Sequence, residues 1–109
     1  MSERANLAKW IEDAVGDEPI DAVVIGPEQG HDYRDPTELR QGQKLGVRLA
    51  WPEAKPMLDY EFYSGYGSAD CNPITLWTRT RVFFIAEYDG STRLVSVPRN
   101  PVDHTPEFA

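Results

Sequence analysis

The sequence predicts an α+β fold, with an N-terminal amphipathic helix packed on a mainly antiparallel five- to six-stranded sheet. Three observations lead there. Apolar residues recur at helical spacing near the N-terminus, β-rich runs follow one another from residue 47 to residue 98, and an Asp89-Gly90 dipeptide separates the last two runs. At 109 residues, with 40% hydrophobic and 27% charged residues, the chain reads as a single domain, 1–109, with one core. Aromatic residues at 11% are too many for a disordered chain of this charge.

The helix is expected within residues 1–16. Leu7, Trp10, Ile11, Ala14 and Val15 fall on one face over 3–15, and Lys9, Glu12 and Asp13 on the other. Ser2 is the expected N-cap and Gly16 the stop. Ile20 to Gly26 is β-rich and closed by Gly26-Pro27, so a strand follows. From 27 to 46 the periodicity dissolves. A connection of this length in a small domain reads as a long loop suited to binding.

Residues 47–98 read as antiparallel strands. Val47, Leu49 and Trp51 alternate with Arg48 and Ala50, Pro52 to Pro56 is expected to turn, and Leu58, Tyr60 and Phe62 alternate in a second strand. Ile74–Thr78 and Arg81–Tyr88 are the next strands. A two-residue Asp89-Gly90 turn sets the last register, with Tyr88 facing Ser91, Ala86 facing Arg93, Phe84 facing Val95 and Val82 facing Val97. Because both faces of 82–88 are apolar, that strand is expected to be central and covered on each side, one side by the N-terminal helix. Pro98 ends the sheet, and 99–109 reads as a loosely held tail.

Charge is the most lopsided property of the chain. Residues 1–38 hold ten acids and three bases, while 39–109 hold eight of each, so the whole net charge of −7 belongs to the first third. Such a field repels nucleic acid and anionic membrane and attracts a basic protein. The longest apolar runs are far shorter than the roughly 20 residues that span a bilayer. A single cysteine, Cys71, precludes an internal disulfide, and the N-terminus turns amphipathic at once, so a cytoplasmic protein is expected.

No catalytic, metal or cofactor signature emerges. Gly65-Tyr66-Gly67 lacks the base and the following helix that a phosphate loop needs. Cys71 has no neighbouring histidine, and Asp70 beside it raises a thiol pKa. His31, Asp32 and Asp35 match neither zinc nor calcium spacing. Asp59 and Glu61 on one strand read as a solvated face.

The expected function is therefore non-enzymatic binding. The acidic third would be presented to a basic partner, in the manner of an immunity protein, antitoxin or phage anti-defence inhibitor. The candidate contacts are Asp13, Asp17, Glu18, Asp21, Glu28, Asp32, Tyr33 and Asp35. One alternative is a small-ligand or nucleotide site on the basic concentration of Arg79, Arg81, Arg93 and Arg99 around Trp77. The other is a structural or assembly component, whose sign would be self-association.

Overall fold

A computed structural model describes residues 4–27, 42–65, 71–88 and 91–108. The elements in chain order are β1 (Arg4–Asn6), α1 (Leu7–Val15), β2 (Ile20–Ile25), β3 (Arg48–Leu49), α2 (Trp51–Leu58), β4 (Glu61–Tyr63), β5 (Ile74–Thr78), β6 (Arg81–Tyr88) and β7 (Ser91–Pro98). Five strands form one open antiparallel sheet in the order β3-β2-β5-β6-β7, and β1 and β4 pair as a separate two-stranded ladder. The fold is α+β.

The helix begins later than the periodicity alone suggests. Arg4–Asn6 is used in pairing with β4, so α1 starts at Leu7, whose N–H bonds the Tyr60 carbonyl. Asn6, not Ser2, is the N-cap, and its side chain accepts from the Lys9 amide at 3.0 Å. Gly16, at φ 70°, ends the helix at the expected place. Leu7, Ala8 and Ile11 are buried, Trp10 and Val15 are half-buried against the same core, and Ala14 is exposed.

A second helix replaces the expected turn at Pro52–Pro56. Only Arg48–Leu49 of the predicted first strand is extended, and Trp51–Leu58 is helical. Pro52 lies in the first turn, where its missing N–H has no helical partner to lose. Ala54 and Leu58, four apart, bury one face with no exposed surface, and α2 packs on β2 and α1. Pro56 costs one backbone bond inside a helix of two turns. The second predicted strand shrinks to Glu61–Tyr63. Asp59 caps α2 and accepts from Asn6 Nδ2 at 2.8 Å, so Asp59 and Glu61 do not share a strand.

The hairpin register matches expectation at all four pairs: Tyr88–Ser91, Ala86–Arg93, Phe84–Val95 and Val82–Val97. The Asp89-Gly90 turn itself lies outside the described residues. The central strand, however, is β5, with β6 one place further out. Both helices pack with the face carrying Val23, Ile25, Leu49, Ile74, Leu76 and Phe83. Val24, Trp77, Val82, Phe84, Val95 and Val97 alternate onto the other face and take no part in that core. The apolar character of both faces of β6 therefore does not come from helices on both sides.

A buried polar knot closes one end of the sheet. Asn72 has no exposed surface and donates from Nδ2 to the Gly26 carbonyl at 3.0 Å and to Gln43 Oε1 at 3.1 Å. Its Oδ1 accepts from Tyr60 Oη at 2.6 Å and from Gln43 Nε2 at 2.8 Å, and its amide donates to Tyr60 Oη at 2.9 Å. Beside it the Gly26 amide bonds the Pro73 carbonyl at 2.8 Å. A Cβ on Gly26 would stand 2.8 Å from Pro73 Cγ, so the close approach requires glycine.

Candidate functional site

Two surfaces hold the sequence-predicted residues, and they lie on different sides of the molecule. The first is the helical side. Asp13 stands on the exposed face of α1, and Asp17 follows its C-terminal glycine. Both are exposed, and among the described residues neither has a hydrogen bond or ion pair. Lys9, four residues before Asp13, makes no ion pair with it.

The remaining described carboxylates of the acidic third are engaged within the molecule. Glu12 accepts from Lys55 Nζ at 3.0 Å and from Trp51 Nε1 at 3.3 Å, fastening α1 to α2, and these donors hold its carboxyl below the ordinary value. Glu18 accepts from the Thr80 amide at 2.6 Å and from Thr80 Oγ1 at 2.9 Å. Partial desolvation alone would raise the Glu18 pKa. The Thr80 hydroxyl and amide, the Thr78 hydroxyl and the charge of Arg79 outweigh it, and the net direction is down.

Asp21 sits where the β2–β5 register shifts and pairs with Arg99 at 2.6 Å. Arg99 also donates to the Thr78 carbonyl at 2.9 Å. Of the predicted partner contacts, Glu28, Asp32, Tyr33 and Asp35 lie outside the described residues, as does the His31-Asp32-Asp35 group. Among the described residues no three potential ligands gather into a metal-binding group.

The second surface is the open sheet face, and here the predicted basic cluster divides. Trp77 is half-buried in a hollow of about 340 Å³ lined with Ala22, Asp21, Arg48 and Arg99. Arg81 is next to Val82, the cross-strand partner of Trp77, so it points to the opposite face, where its Nε donates to Ser96 Oγ at 2.7 Å. Arg93 lies two strands away near the hairpin, and Arg79 is exposed in the β5–β6 turn. The four predicted ligand residues Trp77, Arg79, Arg81 and Arg93 are not brought together.

Arg81 and Arg93 instead border a groove of about 360 Å³ between β7 and the exposed C-terminal segment, with His104, Glu107 and Phe108 on its other wall. Arg48 was absent from the predicted cluster and proves to be the neighbour of Trp77. Its signal was the period-2 alternation that sets Arg48 on the side opposite Leu49, but nothing local says which strand lies next to it. Cys71 is 2% exposed within the core.

Comparison with protein-family models, curated proteins and solved structures finds no match. Among the described residues no helix is long and apolar enough to cross a membrane.

Proposed function

We propose that this chain is a non-enzymatic binding protein that meets a basic partner protein through its acidic helical side. It would act as a small inhibitor of the immunity, antitoxin or anti-defence type, working in the cytoplasm. The observation that carries this reading is the placement of Asp13 and Asp17. Both carboxylates stand at the negative end of the α1 dipole, Asp13 in the last turn and Asp17 just beyond Gly16, with no basic residue in the last helical turn. Each opposes the dipole, and among the described residues neither is offset by an internal partner.

A local arrangement that lowers stability without internal compensation is expected where a surface serves binding. Glu12, Glu18 and Asp21 have structural duties and supply background field rather than contacts. Steering by such a field speeds encounter and weakens with salt, because the Debye length is about 8–10 Å near physiological ionic strength.

The test is capture from nuclease-treated host lysate, at low and high salt, with wild type and an Asp13→Asn, Asp17→Asn variant as parallel baits. The reading expects a basic nucleic-acid-acting protein that binds wild type at low salt, leaves at high salt and binds the variant weakly. A partner indifferent to both changes, or the lack of any, sinks it. The small-ligand alternative has less support, since only Trp77 of its four residues lines the hollow, and Asp21 already takes much of the Arg99 charge.

A further inference from the structure

β7 is an edge strand with backbone donors left over. It ends the sheet order β3-β2-β5-β6-β7 and runs eight residues beside β6 without a register shift. The Thr92 amide turns away from β6 and bonds the Ser64 carbonyl at 3.0 Å. By the period of two along a strand, the amides of Leu94 and Ser96 point the same way, out from the sheet. The Ser96 carbonyl agrees with that direction, since it accepts from Arg81 Nη2 at 3.4 Å. Among the described residues, the Leu94 and Ser96 amides have no acceptor.

Edge strands are commonly blunted by a bulge or an internal proline. Before Pro98, β7 has neither. The groove of about 360 Å³ runs along this edge, with Arg93, Val95 and Val97 on the strand side and His104 and Glu107 on the far wall. The C-terminal segment thus stands off from β7 and forms no ladder with it. Arg93, Val95 and Val97 alternate on one face of the strand. Arg93 is exposed and has no ion pair among the described residues, Val95 is half-buried and Val97 is 43% exposed.

We propose that β7 is a strand-addition site for an extended segment of another protein, which enters between β7 and the C-terminal segment. Its backbone pairs with the Leu94 and Ser96 amides. Its alternate side chains lie opposite Val97, Val95 and Arg93, so the matching pattern is two apolar residues and one carboxylate at every second position. Arg81, Arg93 and Glu107 together carry a charge of +1, which suits one acidic residue rather than an acidic run. A second β7 matches less well. Two-fold pairing about Val95 sets Arg93 opposite Val97 and brings it no carboxylate. The site lies apart from Asp13 and Asp17, so its failure leaves their reading untouched.

The test is amide hydrogen exchange of the ¹⁵N-labelled full chain, read by NMR, with the acetylated and amidated pentapeptide Val-Thr-Val-Thr-Glu. In the free chain, the Leu94 and Ser96 amides should exchange faster than that of Thr92, which has its Ser64 acceptor. Saturating peptide should slow both at least about tenfold. Lysine in place of the peptide's glutamate should raise the dissociation constant about tenfold. Arg93→Glu, at an exposed position without an internal partner, should reverse that preference. Leu94 and Ser96 amides as protected as Thr92 in the free chain overturn the proposal. So does protection that rises with the chain's own concentration, which would mark a second copy. Unchanged exchange at millimolar peptide, or equal binding of the glutamate and lysine peptides, overturns it as well.

Discussion

Glu18 and Thr80 join two ends of the chain's architecture that lie 62 residues apart. The Glu18 carboxylate receives the Thr80 amide at 2.6 Å and the Thr80 hydroxyl at 2.9 Å. It thereby ties the connection between α1 and β2 to the tight turn between β5 and β6. The next contact of that turn, Arg99 N–H to the Thr80 carbonyl at 2.8 Å, extends the tie to the end of β7.

The Glu18 contact makes stability depend on pH with a definite sign. Its folded pKa lies below the ordinary 4.5, so its contribution is complete above that value and fades as pH falls through the lower folded value. Glu12, lowered by Lys55 and Trp51, acts in the same direction. Glu18→Ala is expected to lower Tm at neutral pH. The gap from wild type should close as pH falls below the carboxylate range, as followed by thermal melts across pH. A gap constant with pH would contradict the assignment.

Asn72 predicts a sharper loss. Replacing it with Asp keeps the shape but turns the Nδ2 donor into an acceptor facing the Gly26 carbonyl and Gln43 Oε1. Buried polar groups left facing one another cost about 1–3 kcal/mol each, so Asn72→Asp should destabilise by roughly 2–5 kcal/mol. Urea unfolding at neutral pH measures this, and Tyr60→Phe should cost less because only one member of the knot is removed.

Thr92 predicts a gain. It is 4% exposed, its amide bonds the Ser64 carbonyl, and its Oγ1 is buried with no hydrogen-bond partner among the described residues. Thr92→Val keeps the β-branched shape that a strand favours and removes the orphaned hydroxyl. An increase of about 1 kcal/mol in unfolding free energy is expected from denaturant titration.

The helix end predicts a trade between stability and binding. Asp13→Asn with Asp17→Asn removes two charges that oppose the α1 dipole. The variant should melt about 2–5 °C higher. The same variant should lose affinity for the basic partner. A rise in Tm with undiminished capture would leave the dipole argument standing and remove the functional one.

The parts legible in sequence were those in which one local pattern had one outcome. The α1 stripe, β2, β5 and the β6–β7 register follow from spacing within a few residues of each other. Trp51–Leu58 was misread because Pro52 and Pro56 speak for a turn, while the competing signal, Ala54 and Leu58 four apart, becomes decisive only when β2 and α1 are there to bury it. Asn6 was overlooked as a cap because its role depends on the pairing of Arg4–Asn6 with a strand more than fifty residues away.

By itself the sequence determined the α+β class, the hairpin register and the crowding of acidic charge into the first third, since each is a property of neighbours along the chain. Only the tertiary structure decided that β5 is central, that both helices share one face, and that Trp77 belongs with Arg48 rather than with Arg79, Arg81 and Arg93. The order of strands is set by which faces can be buried together. That choice is a global one, made by the whole core and written in no single segment.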